Sequence, residues 1–510
     1  MESVMSETPI PRATRREWWG LAVLVLPTIL LALDMTVLHL AVPLLAADLK
    51  PTSAQLLWIL DIYGFMIAGF LVTMGTLGDR IGRRRLLLTG AVAFGLASIL
   101  AAYAHSATAL IVARALLGVA GATLMPSTLS LIRNMFRRDD ERTLAITVWM
   151  TGFIVGSAIG PLVGGAILAV FSWGAVFLLG VPVMVLLLIA GPIVLPEFRD
   201  TQAGRLDVRS ALLSVAVMLS GIYALKDAAR HGGSLAALVA LVAALLLGWV
   251  FVRRQRRLAD PMLDLDLFAN RAFTASVCAV LLTLVALSGT WLMIYQYLQG
   301  VIGLTPLRAG VVMLPAALVQ VAGAAVVPVL ARRLRPAVLV SRGLFVAVAG
   351  FGIMAIAGEI SPWPAVLGSV VMGVGVMPMM IMGTDLVVGS APPERAGAAA
   401  AISETAAELG MALGIALLGS LGAAVYRWQM GDVLASLPPA AAAQAAETLS
   451  GALALASTLG TGGDTVLASA RHAFTVALHA NAAVGAAIAL ATALGARVLL
   501  RHLPVGGGGH

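Results

Sequence analysis

Asp34 stands alone among carboxylates in the run Leu21 to Leu45, where His39 is the only other ionisable side chain. A run of that length and polarity spans a bilayer core, which takes roughly 20 apolar residues. The acid then lies near the middle of the membrane. A charged group at that depth costs a few kcal/mol or more, so it must face a water-filled cavity or a partner inside a helix bundle. The chemistry that suits it is reversible binding of a proton or another cation. The plainer alternative is a structural pair with Arg114, the arginine placed well inside an apolar run. Glu404 and Glu408, four residues apart in another apolar run, share one face of a helix. Two acids so close cannot both ionise easily in a low-dielectric site, which suits a group that takes and releases protons. Asp61 lies about two turns into a further run and reads equally as an entry site or an interfacial acid. Arg114 needs an acid nearby, and Asp34 and Asp61 are both candidates.

These residues must be held by helices. The chain has 510 residues, of which 60% are hydrophobic and only 11% charged, against roughly 25% charged in soluble domains. Runs of spanning length fall at about 19–46, 55–77, 86–104, 108–132, 143–171, 174–195, 210–226, 234–252, 271–300, 305–331, 337–357, 362–389, 397–425 and 473–501. The expectation is an all-α membrane protein with fourteen transmembrane helices, multi-pass in a bacterial inner or plasma membrane. The run 210–226 is the shortest.

The net charge of +8 could suggest nucleic acid, but its placement follows the positive-inside rule. With the N-terminus in the cytoplasm, the cytoplasmic segments carry most of the arginines. The opposite side holds only Lys50, Lys226, Arg230, Arg308, Arg427 and Arg471. Both termini are therefore expected in the cytoplasm, and no nucleic-acid partner is expected. The polar N-terminus leads directly into a full-length span, so no cleavable leader is expected. Lys50 and Lys226 are the only lysines, a bias that reads as genome composition. The single Cys278 allows no intramolecular disulfide and no cysteine metal site. The terminal residues 505–510 are set aside.

Two features break the even rhythm. The runs 210–226 and 234–252 read as a pair inserted between two groups of six, and with few polar residues they should sit at the edge. The connection 426–472 is alanine-rich around Pro438 and Pro439. It reads equally as a helical hairpin over the outer face or as a loose loop. The expected divisions are residues 1–195, an inserted part 196–270, and 271–510.

The loop between the second and third runs reads Gly75-Thr-Leu-Gly78-Asp79-Arg80-Ile-Gly82-Arg83-Arg84-Arg85. Its glycines allow a tight turn, and Asp79 can pair with a neighbouring arginine or cap a helix N-terminus. Such a clasp would hold one conformation and open in another. The segment 332–342 occupies the corresponding place in the second half without the Gly-Asp core. In the fifth run Gly152, Gly156, Gly160 and Gly164 recur every fourth residue, with Pro161 and Gly165 beside them. That spacing presents one small-residue face for close helix approach, and Pro161 introduces a kink. Aromatic residues at Trp58, Tyr63, Trp149, Phe153, Trp291, Tyr295 and Tyr297 belong to the core or the interfacial belts, or offer cation–π faces to an organic cation.

The Gly75–Arg85 loop resembles the signature of the major facilitator superfamily. The glycine array is similar to the motif that separates its antiporters from its symporters, and Arg114-Ala-Leu-Leu-Gly118 resembles its buried-arginine motif. With fourteen spans, Asp34, Asp61 and Glu404-x3-Glu408-Leu-Gly410, the whole chain looks most like the fourteen-helix drug:proton antiporters. The resemblance implies the major facilitator fold, two six-helix bundles plus two inserted helices. It also implies alternating access around a midplane cavity and export of lipophilic cations such as quaternary ammonium compounds, biguanides and dyes. Protons are the coupling ion, with no other cofactor and no metal, and a monomer is expected. Some members carry an additional acid in the tenth helix; the matching region here offers only Gln320, so selectivity for divalent cations loses its acid.

Two other readings fit the residues less well. A symporter for a polar nutrient should offer more hydrogen-bonding or basic groups than these spans contain. An enzyme or lipid-handling protein needs a nucleophile or metal cluster, and no His/Cys/Asp grouping has ligand spacing. No phosphate-binding loop ending in Gly-Lys-Ser/Thr is present, so ATP is not the expected driver.

Overall fold

The computed structural model describes residues 12–199, 207–231, 234–258, 261, 263–331, 333–392, 395–459 and 462–499. Arg205, Arg332 and Arg501 of the charge pattern, and residues 505–510, lie outside the described residues. Among the described residues fourteen helical spans are long and apolar enough to cross a membrane, the sixth, Ala175–Val194, taking in the short turn before its main helix. They are α1 (Arg15–Leu49), α2 (Ser53–Ile81), α3 (Arg83–Ala102), α4 (Ala107–Met135), α5 (Asp139–Leu168), α6 (Gly180–Val194), α7 (Val208–His231), α8 (Leu235–Gln255), α9 (Arg271–Gln296), α10 (Leu314–Ala331), α11 (Pro336–Met354), α12 (Trp363–Val388), α13 (Ala396–Gln429) and α14 (Gly463–Leu499). One turn, Ala175–Leu178, precedes α6, and another, Pro306–Val312, precedes α10. Local signals fix the helix starts. Thr14 and Thr52 each cap the helix that follows through a reciprocal capping box with Glu17 and Gln55. Lys50 ends α1 in the left-handed conformation, φ 45°, so that Pro51 can turn the chain straight into α2.

Two ends can be told apart by their loops. The arginine end carries the 82–85 turn and residues 195–199; the hairpin end carries Lys50 and the short helices within 430–459. The two six-helix groups repeat one packing plan: α1 lies along α5, and α9 lies along α13. Between the groups, α2 packs on α13 and α5 packs on the α10 region. At Gly165 an added methyl would fall 2.8 Å from the Leu307 Cα, and at Gly310 it would fall 2.6 Å from the Pro161 carbonyl oxygen. The glycine array therefore faces two ways, towards α1 and across to the second group. Gln299 Nε2 also crosses the seam, donating to the Leu40 carbonyl at 3.1 Å.

The inserted pair is not peripheral as a whole. α7 lies in the groove between α2 and α13, where Phe65, Ile222, Ala412 and Ala416 form one buried cluster. α8 rests on α7 and presents Leu238, Leu245, Leu246 and Trp249 outward. The edge position expected of both helices thus holds for α8 alone. α7 is also longer than its apolar run, continuing to His231, and so its Lys226 is not in an outer segment.

The 426–472 connection is shorter than its composition suggests, because α13 runs to Gln429 and α14 begins at Gly463. Between them stand the short helices Gly431–Ala435, Pro439–Glu447 and Leu449–Ala456. They roof the hairpin end. Tyr426 Oη donates to the Ala445 carbonyl at 3.1 Å, and the Ser53 amide of the first group donates to Glu447 Oε2 at 2.6 Å.

Candidate functional site

The helix pairings bring the acids of the first group onto cations. Arg114 Nη1 donates to Asp34 Oδ2 at 2.8 Å. The guanidinium also donates from Nε to the Ile59 carbonyl at 3.1 Å. Its Cζ stands 4.4 Å from the Tyr63 ring centroid and 5.9 Å from that of Phe177. Arg114 is 2% exposed, so three helices spend polar or π-electron groups on one buried charge. The choice that the sequence left open between Asp34 and Asp61 is made here: Asp34 is the partner. The pair does not seal the acid, since the Asp34 side chain keeps 11% of its surface. Tyr63 packs beneath the guanidinium, and its hydroxyl has no hydrogen-bond partner among the described residues.

Asp61 is bound to a cation that the sequence reading placed elsewhere. Lys226 Nζ of α7 sits 2.9 Å from Asp61 Oδ2 and 3.1 Å from Oδ1. It also lies 4.1 Å from the Trp58 ring centroid. The Asp61 side chain is fully buried and that of Lys226 nearly so. The interfacial reading of Asp61 is therefore corrected to a core ion pair. Trp58 is the side of a lysine cage in this conformation.

The second group differs. Glu408 of α13 is buried, and its Oε2 finds no hydrogen-bond partner among the described residues. Glu404, one turn earlier, is half-buried. Ser403 Oγ, beside Glu404 in sequence, donates to Thr384 Oγ1 at 3.3 Å. Glu408 lies against the first group, because an added methyl on Gly64, next to Tyr63, would lie 3.2 Å from Ala412 Cβ and 4.0 Å from the Glu408 carbonyl oxygen. α13 is pinned on its other side by α9, where Gly410 and Gly414 meet the Leu281 and Val285 carbonyls and Ser288 Oγ donates to the Met411 carbonyl at 2.8 Å. His39, more than a turn further along α1 from Asp34, has a buried Nδ1 without a partner among the described residues; its sequence context assigned it no role.

The remaining aromatic residues fall into two kinds. Trp149 Nε1 donates to Thr128 Oγ1 at 3.2 Å, which ties α5 to α4. Trp291 stacks on Tyr295 with centroids 6.0 Å apart, and the buried Tyr295 hydroxyl has no partner among the described residues. Phe153 is half-buried on α5.

The clasp and the glycine array are resolved in detail. Arg83 Nε donates to Asp79 Oδ1 at 2.7 Å across the break between α2 and α3, so Asp79 takes the arginine rather than a helix N-terminus. Arg84 reaches the other way, its amide donating to Glu197 Oε1 at 3.0 Å and its Nη1 to the Leu195 carbonyl at 2.9 Å. Gly82 carries this turn with φ 114°, a conformation that L side chains rarely adopt. Gly75 faces Pro126 of α4, Gly78 packs on the stem of Arg83, and Arg80 is exposed. In the array, Gly152, Gly156, Gly160 and Gly164 all face α1, meeting Val25, Ile29, Thr36 and Val37 in turn. The closest approach to backbone is at Gly156, where a methyl would lie 2.5 Å from the Ile29 carbonyl oxygen. The array thus grips the helix that carries Asp34, from Val25, about two and a half turns before the acid, to Val37, just under one turn after it.

Comparison with known proteins agrees with this arrangement. Residues 24–415 match the model of the Major Facilitator Superfamily. The chain is 46% identical over 506 residues to the multidrug efflux pump LfrA of Mycolicibacterium smegmatis, covering 98% of this chain and 100% of that protein. It is 36% identical over 467 residues to the methyl viologen resistance protein SmvA of Salmonella typhimurium, covering 90% and 93%. Among solved structures, a bacterial homolog of the human lysosomal transporter Spinster, inward-facing and unoccupied, shares the fold with a TM-score of 0.68 at 17% identity, covering 96% of this chain and 99% of that one. With fourteen spanning helices, a buried acid–arginine pair and full-length relatives of this kind, the chain is a multi-pass plasma-membrane protein of the Major Facilitator Superfamily, in its drug:proton antiporter family.

Proposed function

We propose that the protein exports lipophilic, often cationic, drugs, dyes and antiseptics in exchange for protons, by alternating access of the two six-helix groups. The observation that carries this reading is the contrast between a buried carboxylate oxygen of Glu408 without a partner among the described residues and the partnered Asp34 across the seam. An ionised carboxylate left alone in that setting costs several kcal/mol. The site is therefore served by a proton or by a cationic substrate, one at a time. A cation arriving near Glu404 and Glu408 releases protons; protons arriving from the other side release the cation. Asp34 joins this exchange when Arg114 lets go of it. The names of the relatives, a multidrug pump and a methyl viologen resistance protein, support organic cations as the substrate class. Protons are the only coupling ion, and the working unit is a monomer. The excess of arginine at one end supports cytoplasmic termini, so the hairpin end faces out.

The test is transport in proteoliposomes with an imposed pH gradient. Wild-type protein concentrates an organic-cation dye on the acidic side, whereas Asp34→Asn and Glu404→Gln, inserted to the same level, do not. If Asp34→Asn moves dye against its gradient as the wild type does, the assignment is wrong.

A further inference from the structure

Lys226 has no part in the exchange just described, yet it holds one of the most enclosed charges in the molecule. Three observations set it apart. It sits on α7, which is wedged between α2 of the first group and α13 of the second. Its ammonium is held by a carboxylate and an aromatic face, Asp61 at 2.9 Å and Trp58 at 4.1 Å. A narrow cleft runs from it toward the hairpin end between Ser53 and Leu57 on one side and Ser420, Ala423 and Arg427 on the other. A carboxylate backed by an indole face is the surface that recognises an organic ammonium ion. Here that surface is filled by the chain itself.

We propose that Asp61 and Trp58 form a second cation site, at the seam between α2 and α13, and that the Lys226 ammonium is its tethered occupant, which sets what the seam admits. The side chain type supports this. The chain uses arginine at nearly every basic position and lysine only at Lys50 and Lys226. An arginine would hold Asp61 permanently, because a guanidinium keeps its charge and grips a carboxylate with two parallel bonds. A lysine is a compact point charge on a flexible stem, and it can yield its place to another cation of the same charge. Exchange of the ammonium for a small organic cation keeps Asp61 paired, while the displaced ammonium keeps its own charge and has to swing out along the cleft between Ser53 and Ser420. Lys226 then acts as a specificity-determining residue: while it is seated, the Trp58 face is closed to substrate.

This inference deepens the antiport reading, and its test is binding, not pumping. Lys226→Ala leaves Asp61 and the indole facing a gap the width of an alkylammonium. Butylammonium is the probe. Added to purified Lys226→Ala protein, it raises the Tm by at least about 2 °C at saturation. It leaves Asp61→Asn/Lys226→Ala unmoved, and the wild type too, because the tethered ammonium holds the site against the free probe. Should the single variant be too unstable to purify alone, its recovery in butylammonium counts as the same positive result. The proposal is overturned if butylammonium neither stabilises nor recovers Lys226→Ala while the double variant folds, or if the double variant responds equally. Dye transport by the wild type is scored separately. A chain that moves no dye but whose Lys226→Ala form takes butylammonium would defeat the antiport reading and keep the site.

Discussion

The two groups of six helices treat their buried acids differently. In the first, Asp34 and Asp61 each meet a cation within 3 Å, Arg114 and Lys226. In the second, Glu408 has a carboxylate oxygen with no partner among the described residues. The packing plan is the same, α1 on α5 and α9 on α13, so the difference lies in side chains and not in topology. Fixed counter-charges make the first group electrostatically complete at rest. The second depends on something mobile to complete it. A pump that must exchange one cation for another needs both: acids whose counter-charges are built into the chain and a site whose counter-charge is not.

The sharpest way to break this comparison is to remove Arg114. Arg114→Ala strands Asp34 in the core, which should cost about 3–5 kcal/mol. Asp34→Asn/Arg114→Ala should recover much of that stability but none of the proton-driven transport. Thermal unfolding of the single and double variants measures the first, and dye uptake the second. If the single variant is as stable as the double, Arg114 is not the built-in counter-charge of Asp34. Glu408→Gln comes next. It should unfold no sooner than the wild type, because a neutral amide replaces a group with no ion partner, while dye accumulation under a pH gradient falls at least tenfold. A clear loss of Tm would show that Glu408 has a structural cation after all.

Gly156→Val tests whether the first group is rigid. The new side chain meets the Ile29 backbone, and overpacking of this kind costs about 1–3 kcal/mol. The expected result is a lower Tm and slower transport with an unchanged dependence on dye concentration. The smallest effect belongs to a pair outside the bundle, Asp207 with Arg254 at 2.8 Å. Burial works against the Asp207 charge, but the Ser210 hydroxyl and the Arg254 guanidinium more than offset it and hold the carboxyl below its ordinary value of 3.8. A depressed carboxylate contributes stability that is present above that ordinary value and is lost as pH falls through the folded-state one. Asp207→Asn should therefore lower stability by about 1 kcal/mol or less at pH 7, with the gap to the wild type closing in acid. A gap that widens in acid would reverse the sign.

Much of this was legible in the residues themselves. Fourteen apolar runs became fourteen spanning helices, because run length against bilayer thickness is a one-dimensional property. The glycine array was legible for a similar reason, since spacing of four defines one face of a helix whatever it packs against. Pairing was not. Arg114 could have met either acid, and only the relative rotation of α1, α2 and α4 decides it. Lys226 was misplaced because its apolar run appeared to end at the lysine itself. The helix in fact continues to His231, which carries the ammonium more than a turn inside. A signal was present in Asp61 and Trp58, an acid and an indole three residues apart on one helix face. The last connection was misjudged at both ends because alanine-rich sequence continues a helix as readily as it fills a loop.

The contact along α1 and α5 also limits how a molecule dissolved in the lipid can reach the interior. With Gly156 set against the Ile29 backbone, and its neighbours in the array meeting α1 above and below, the line between these two helices offers no slit wide enough for an alkyl chain or a flat dye. Oil-soluble cargo arriving sideways from a leaflet must find another doorway, so photo-crosslinking lipids or dyes should label this edge least.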